Sequence, residues 1–131
     1  MDCRFRYSLL ILLQMAAPSL AGQTTPAMPE GVTPELVAQG KKLFSGAGLC
    51  LACHGPAGTG GIGPNLTDTF SLHPATLTFE GLVKSIMTGY DTETSESGQI
   101  MPPRGGSSMK DPDVRAVAAY VWTLSRSATV R

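Results

Sequence analysis

The chain has 131 residues, ten basic against ten acidic, and three cysteines. That length allows one compact domain beside a targeting segment, and not two. The even charge argues against nucleic acid or an anionic membrane surface as a partner.

The first segment reads as an export signal. Arg4 and Arg6 form a basic start, and Leu9-Leu10-Ile11-Leu12-Leu13 opens an apolar run that reaches Ala17. Pro18 breaks the run, and Ser19 and Ala21 place small residues at the two positions a signal peptidase inspects. The run is too short to span a bilayer comfortably, so residues 1–21 are expected to be cleaved, with a retained anchor as the alternative. No stable membrane insertion is expected after cleavage. Removing 21 residues from 131 leaves 110, and Asp2, Arg4, Arg6 and Cys3 depart with them. Residues 22–32, rich in Pro, Gly and Thr, read as a flexible tail before a domain spanning 33–131.

Thr33-Pro34-Glu35 is a helix start: a capping hydroxyl, proline at the first helical position, and an acid in the first turn. The helix should carry Leu36, Val37, Gly40, Leu43 and Phe44, with Gly46 and Gly48 loosening the chain beyond it. Cys50-Leu51-Ala52-Cys53-His54 follows, and its spacing has a chemical reason. Two thiols three residues apart sit about one helical turn from each other, so both reach the vinyl groups along one porphyrin edge. The next residue, His54, is carried beneath the ring, where an imidazole nitrogen can bind iron. A thioredoxin-like cysteine pair and half of a zinc site are the alternatives. The first belongs in a strand–helix alternation that is missing here. The second wants another Cys or His pair, and after Cys3 only His73 remains.

Thr78 caps a helix expected over residues 79–87, with Gly89 just beyond its end. Asp111-Pro112-Asp113 repeats the start signal, with Asp111 as the cap. Val114, Val117, Ala118, Val121 and Trp122 then form one apolar face of a helix ending near Ser125. No alternating strand pattern and no internal repeat is present. The fold class is all-α: three main helices and long loops around one covalently attached haem.

In their order along the chain, Gly40-x-x-x-Phe44, the Cys50–His54 pentapeptide, Gly63-Pro64-Asn65-Leu66, Met101-Pro102 and Val117-Ala118-Ala119-Tyr120-Val121 resemble a small bacterial class I cytochrome c. The match runs from Val37 to Leu124. The stretch from Gly63 to Asp68, followed by Leu72-His73, is also similar to segments in the c-type subunits of terminal oxidases. The resemblance implies the cytochrome c fold, with the first and last helices crossing at Gly40 and Phe44 packing near Val117 and Tyr120. A mid-helix glycine costs about 1 kcal/mol against alanine, which agrees with a close-contact reason for Gly40. The resemblance further implies haem c in one copy, with Pro64 offering its carbonyl to the free nitrogen of His54 and Leu66 packing on the ring.

The sixth ligand is a choice among methionines. Met1 and Met15 leave with the signal, Met28 lies in the tail, and Met87 falls on the third helix beside Leu82, Val83 and Ile86, where it is expected to line the haem pocket. Met101 precedes Pro102-Pro103, which stiffen an irregular segment and remove two donors. In the family a Met-Pro pair before the final helix carries the ligand, so Met101 is favoured over Met109. His73 as the ligand would give a low-potential bis-imidazole site, but in Ser71-Leu72-His73-Pro74 it reads rather as a surface or propionate-facing histidine. The segment 90–99 is polar and acidic, a solvated loop or a docking element for a basic partner. Arg104, free on the surface or paired with a propionate, and Tyr90, as a donor to haem carboxylates, complete the candidates; Trp122 could donate likewise, but its place on the apolar face of the last helix favours the core.

No base, nucleophile or second metal appears that would act on a bound substrate. The function expected from the resemblance is that of an electron-transfer protein and not an enzyme. It would be a periplasmic one-electron carrier serving an oxidase, reductase or dehydrogenase, either freely diffusing or as a subunit. A five-coordinate sensor or peroxidase-like protein is the alternative.

Overall fold

The computed structural model describes residues 28–68, 74–95 and 97–127. The signal segment, most of the tail, His73 and Glu96 lie outside the described residues. Ordered packing begins just upstream of Thr33, where a turn closed by Val32 N–H on the Pro29 carbonyl buries Val32 in the core.

Helix α1 spans Pro34–Ser45. The Thr33 hydroxyl accepts from Leu36 N–H at 3.2 Å, satisfying one of the donors that a helix start leaves open. A short helix α2, Leu51–His54, carries the second cysteine and the histidine, and Gly55 stops it with φ +76°. After a 3-10 turn at Pro74–Leu77, helix α3 runs Phe79–Thr88. Thr78 caps it through Gly81 N–H at 3.0 Å, and Gly89 ends it with φ +66°. A tight turn at Pro103–Gly106 leads to helix α4, Asp111–Ser127. Among the described residues there is no strand, only an isolated antiparallel bridge between Tyr90 and Met101.

The start of α4 corrects one expectation. Asp111 lies inside the helix, and its carboxylate accepts from Arg104 at 2.7 Å instead of capping the first turn. The capping contact comes from Asp113, whose carboxylate accepts Lys110 N–H at 3.1 Å. Two acids two residues apart offer the same local signal. Arg104, reaching back from the preceding turn, decides between them.

Helix α4 is the centre of the packing. Helix α1 crosses it on one side and α3 packs on another, so residues 116–121 are buried all round instead of along one stripe. Phe44 and Tyr120 meet edge to face at 5.3 Å between ring centroids, and Phe79 meets Trp122 likewise at 6.0 Å. Phe44, Val114 and Val117 are fully buried. The three alanines at 116, 118 and 119 keep α4 thin where its neighbours approach. Arg115 reaches from α4 to α3, donating to both carboxylate oxygens of Glu80 at 2.8 and 2.9 Å while covering the Phe79 ring.

Candidate functional site

Between the face of α4, the inner side of α3 and the loops lies a cavity of about 380 Å³. Cys50, Cys53, His54, Pro64, Leu66 and Met101 all line it. Residues drawn from three separated stretches of the chain thus converge on one space. Phe44, Leu82, Ile86, Val117 and Val121 supply much of the rest of the wall, so the lining is largely apolar.

Each of these side chains has a local cause for its placement. Gly48 N–H bonds the Leu43 carbonyl at 2.8 Å, folding the chain back from α1. Leu49 then takes a left-handed conformation, φ +58°, which ordinarily costs an L-residue of this size on the order of 1–2 kcal/mol. That turn delivers Cys50 to the head of α2, and Cys53 follows one turn later. Cys50 is buried, and its thiol donates to the Gly48 carbonyl at 3.4 Å. Burial pushes the thiol up to about 11, so it stays protonated at neutral pH.

His54 is oriented from behind. Its Nδ1 lies 2.9 Å from the Pro64 carbonyl oxygen. A carbonyl can only accept, so Nδ1 carries the proton and Nε2 keeps its lone pair for a ligand. The loop that brings Pro64 there is tied to α2 by Gly63 N–H on the Cys53 carbonyl and Gly60 N–H on the His54 carbonyl, both at 2.9 Å. Gly63 leaves room for the ring: a β-carbon there would sit 3.0 Å from His54 Cε1.

Among the described methionines, only Met101 reaches the cavity. Met109 is 6% exposed and packs in the core close to Gly48. Met87 corrects an expectation: it sits on α3 half-buried against the core and outside the cavity, whose α3 wall comes from Leu82, Ser85 and Ile86 instead. Arg104, weighed from the sequence as a propionate partner or a free surface residue, donates to the Met109 carbonyl at 3.0 Å and to Asp111. It thereby fastens the turn after Met101 to the start of α4. Within the segment 90–99, residues 91–94 are exposed and closed on themselves, with the Asp91 carboxylate accepting from Glu93 N–H, Thr94 N–H and the Thr94 hydroxyl, while Tyr90, Ser95, Ser97 and Gln99 line the cavity. Trp122 Nε1 is buried and does not line the cavity.

Two features of the site go beyond the sequence reading. Leu49, Ile62, Leu77 and Ile100 are exposed, yet all four line the cavity. The signal for Leu49, Ile62 and Ile100 was an aliphatic residue within a Gly- or Ser-rich loop; Leu77, at the end of the Pro74–Leu77 turn, had none. Ser85 and Tyr90, their hydroxyls 2.6 Å apart, also line it. Among the described residues, no three His, Cys, Asp or Glu side chains come together to hold a metal ion, so Cys50, Cys53 and His54 find no further zinc ligand there.

The donor set suits a haem. Two thiols sit on one helical turn, an oriented imidazole offers Nε2, a thioether shares the space, and an apolar wall surrounds them.

Comparison with known proteins agrees. Residues 35–121 match the family model described as cytochrome c oxidase, cbb3-type, subunit III. The chain belongs to this cytochrome c family. It is 35% identical over 100 residues to the cbb3-type cytochrome c oxidase subunit CcoP of Rubrivivax gelatinosus, covering 73% of this chain and 29% of that protein. The chain therefore spans under a third of that relative's length. Cytochrome cL from the marine methylotroph Methylophaga aminisulfidivorans superposes with a TM-score of 0.58 at 25% identity, over 70% of this chain and 55% of that one. Cytochrome cL from Hyphomicrobium denitrificans gives 0.56 at 23%, over 69% and 48%. The fold is that of cytochrome c, and the family is one of haem-containing electron carriers. Among the described residues no helix is long and apolar enough to cross a membrane.

Proposed function

We propose that the chain carries one haem, bound covalently through Cys50 and Cys53, with His54 and Met101 as the two axial ligands of its iron, and that it works as a periplasmic one-electron carrier. The observation that supports this most strongly is the convergence of both thiols, His54 and Met101 on one cavity, with His54 held by the Pro64 carbonyl. When bound, the group supplies reversible one-electron chemistry.

The residues of this chain set the conditions for that chemistry. The Pro64 carbonyl fixes the His54 ring and makes Nε2 a better donor. A thioether from Met101 raises the reduction potential relative to a second imidazole. Leu66, Leu82, Ile86, Val117 and Val121 line the cavity and would keep water from a bound haem. Ala52, Pro102 and Pro103 are exposed beside the cysteine and methionine segments, and they border the edge where electrons would enter and leave. Export by residues 1–21 would place the carrier in the periplasm, with a tail that ends at the Pro29–Val32 turn, where Val32 joins the core. Similarity to an oxidase subunit favours a redox protein as partner: an oxidase, a reductase or a dehydrogenase. Whether the carrier diffuses freely or sits in such a complex is a separate question from its ligands.

The spectrum of the haem-loaded protein tests the reading. A six-coordinate His/Met site shows a sulfur-to-iron charge-transfer band in the ferric state and binds carbon monoxide slowly when reduced. A ferric protein that is high-spin from the outset, or a reduced one that takes up carbon monoxide rapidly, would replace the carrier with a five-coordinate sensor or peroxidase-like protein.

A further inference from the structure

We propose that Ser85 and Tyr90 form a positioning pair that holds the Met101 thioether in place, an inference that rests on the axial role proposed above for Met101. Ser85 lies on the inner face of α3 among Leu82, Val83 and Ile86, and is only 5% exposed. A hydroxyl so placed is costly unless bonded. It shares a hydrogen bond of 2.6 Å with the Tyr90 hydroxyl. Tyr90 in turn pairs with Met101 through the backbone: each residue's N–H donates to the other's carbonyl at 2.8 Å. Tyr90 is thus fixed at both ends, its hydroxyl on α3 and its main chain on Met101.

The segment around Met101 needs such an anchor. Pro102 and Pro103 have no N–H to give, so the pair of bonds to Tyr90 is what ties the Met101 main chain to a helix on that side. A methionine side chain has three rotatable bonds, and its reach is decided by where its backbone is held. Ser85, Tyr90 and Met101 line the same cavity, so the anchor lies beside the thioether and not across the molecule. Without Ser85, the Tyr90 hydroxyl loses its tie to α3, and the bridge to Met101 is held less firmly on that side. Neither hydroxyl is assigned to the iron, so both act through Met101.

The test uses the full haem-loaded chain in the ferric state, titrated with imidazole as a competitor for the sixth position. Wild type must show the thioether charge-transfer band, and Met101→Ala must lose it. Failure at this point refutes the axial role of Met101, independently of the pair. Given the band, Tyr90→Phe and Ser85→Ala should each raise imidazole affinity roughly five- to tenfold and weaken the band. Because Tyr90→Phe already deletes the bond that Ser85→Ala deletes, the double variant should go no further than Tyr90→Phe alone. Thr88→Ala, which deletes an exposed hydroxyl on the same helix, should leave affinity within about twofold. The pair is overturned if both single variants stay within about twofold of wild type, or if their effects multiply in the double variant. Should Ser85→Ala fold poorly, Tyr90→Phe alone decides by the same margins.

Discussion

Gly40 of α1 and Ala116 of α4 touch main chain to main chain: a β-carbon on Gly40 would lie 1.8 Å from the Ala116 carbonyl oxygen. Nothing flexible stands between the two helices at that point. Helix α1 can therefore cross α4 closely enough to bury Phe44 against Tyr120, and these two helices form one side of the cavity's support.

Gly40→Ala should accordingly destabilise the protein despite alanine's better helix propensity, which favours the variant by about 1 kcal/mol. The clash is with backbone, so the helices must separate, and overpacking of this kind costs about 1–3 kcal/mol or more. A lower urea midpoint for the haem-loaded variant is expected. An unchanged or raised midpoint would mean the crossing is looser than described.

The two candidate methionines should separate cleanly. Met101→Ala should abolish the charge-transfer band and open the iron to carbon monoxide while leaving the fold largely intact, since Met101 is only partly buried. Met109→Ala should keep the band and lose about 2–5 kcal/mol of stability, because the side chain is buried in the core. Optical spectra and urea titrations of both variants give the comparison, and the reverse pattern would exchange their roles.

How far the sequence led depends on how local each cause is. Thr33, Thr78 and Gly89 act within a turn of themselves, and the helix limits they imply agree with α1 and α3. Gly40 and Phe44 were legible through the resemblance to class I cytochromes c, with which the cost of a mid-helix glycine agreed. The start of α4 was not, because Asp111 and Asp113 look alike until Arg104 is seen to bind one of them. Arg104 takes φ +56° to do so, a left-handed turn that composition does not announce. The Ser85–Tyr90 bond escaped for a similar reason: a serine in an apolar helix face hints at a partner without naming it. Ile62 and Ile100 lie outside the helices, and beyond their aliphatic character nothing in their local sequence marks them as cavity wall.

The Gly89 turn makes a prediction about that cavity. Gly89 has φ +66°, and a β-carbon there would sit 2.1 Å from the Met101 carbonyl oxygen. Gly89→Ala must therefore push the Met101 segment away or unwind the end of α3. A weaker charge-transfer band and tighter imidazole binding should accompany any loss of stability. A variant that loses stability with its band intact would show that the Met101 segment does not depend on this approach.

The Arg115–Glu80 pair sets a pH dependence of defined sign. Hydrogen bonds from Arg115 hold the Glu80 carboxyl below its ordinary value of 4.5. A carboxyl whose value is lower folded than unfolded contributes its stabilisation in full above the unfolded value. That contribution fades as pH falls through the folded one. Both side chains are substantially exposed, so the effect is small and weakens with salt. Glu80→Gln should be slightly less stable than wild type at neutral pH. The two should converge as pH drops below the ordinary carboxylate range. Arg115 also covers the Phe79 ring at 5.2 Å, so Arg115→Ala should cost more than Glu80→Gln and keep part of its cost in acid. Urea midpoints of the three proteins at neutral and acid pH measure this. A Glu80→Gln difference that persists unchanged into acid would mean the carboxylate's charge contributes nothing.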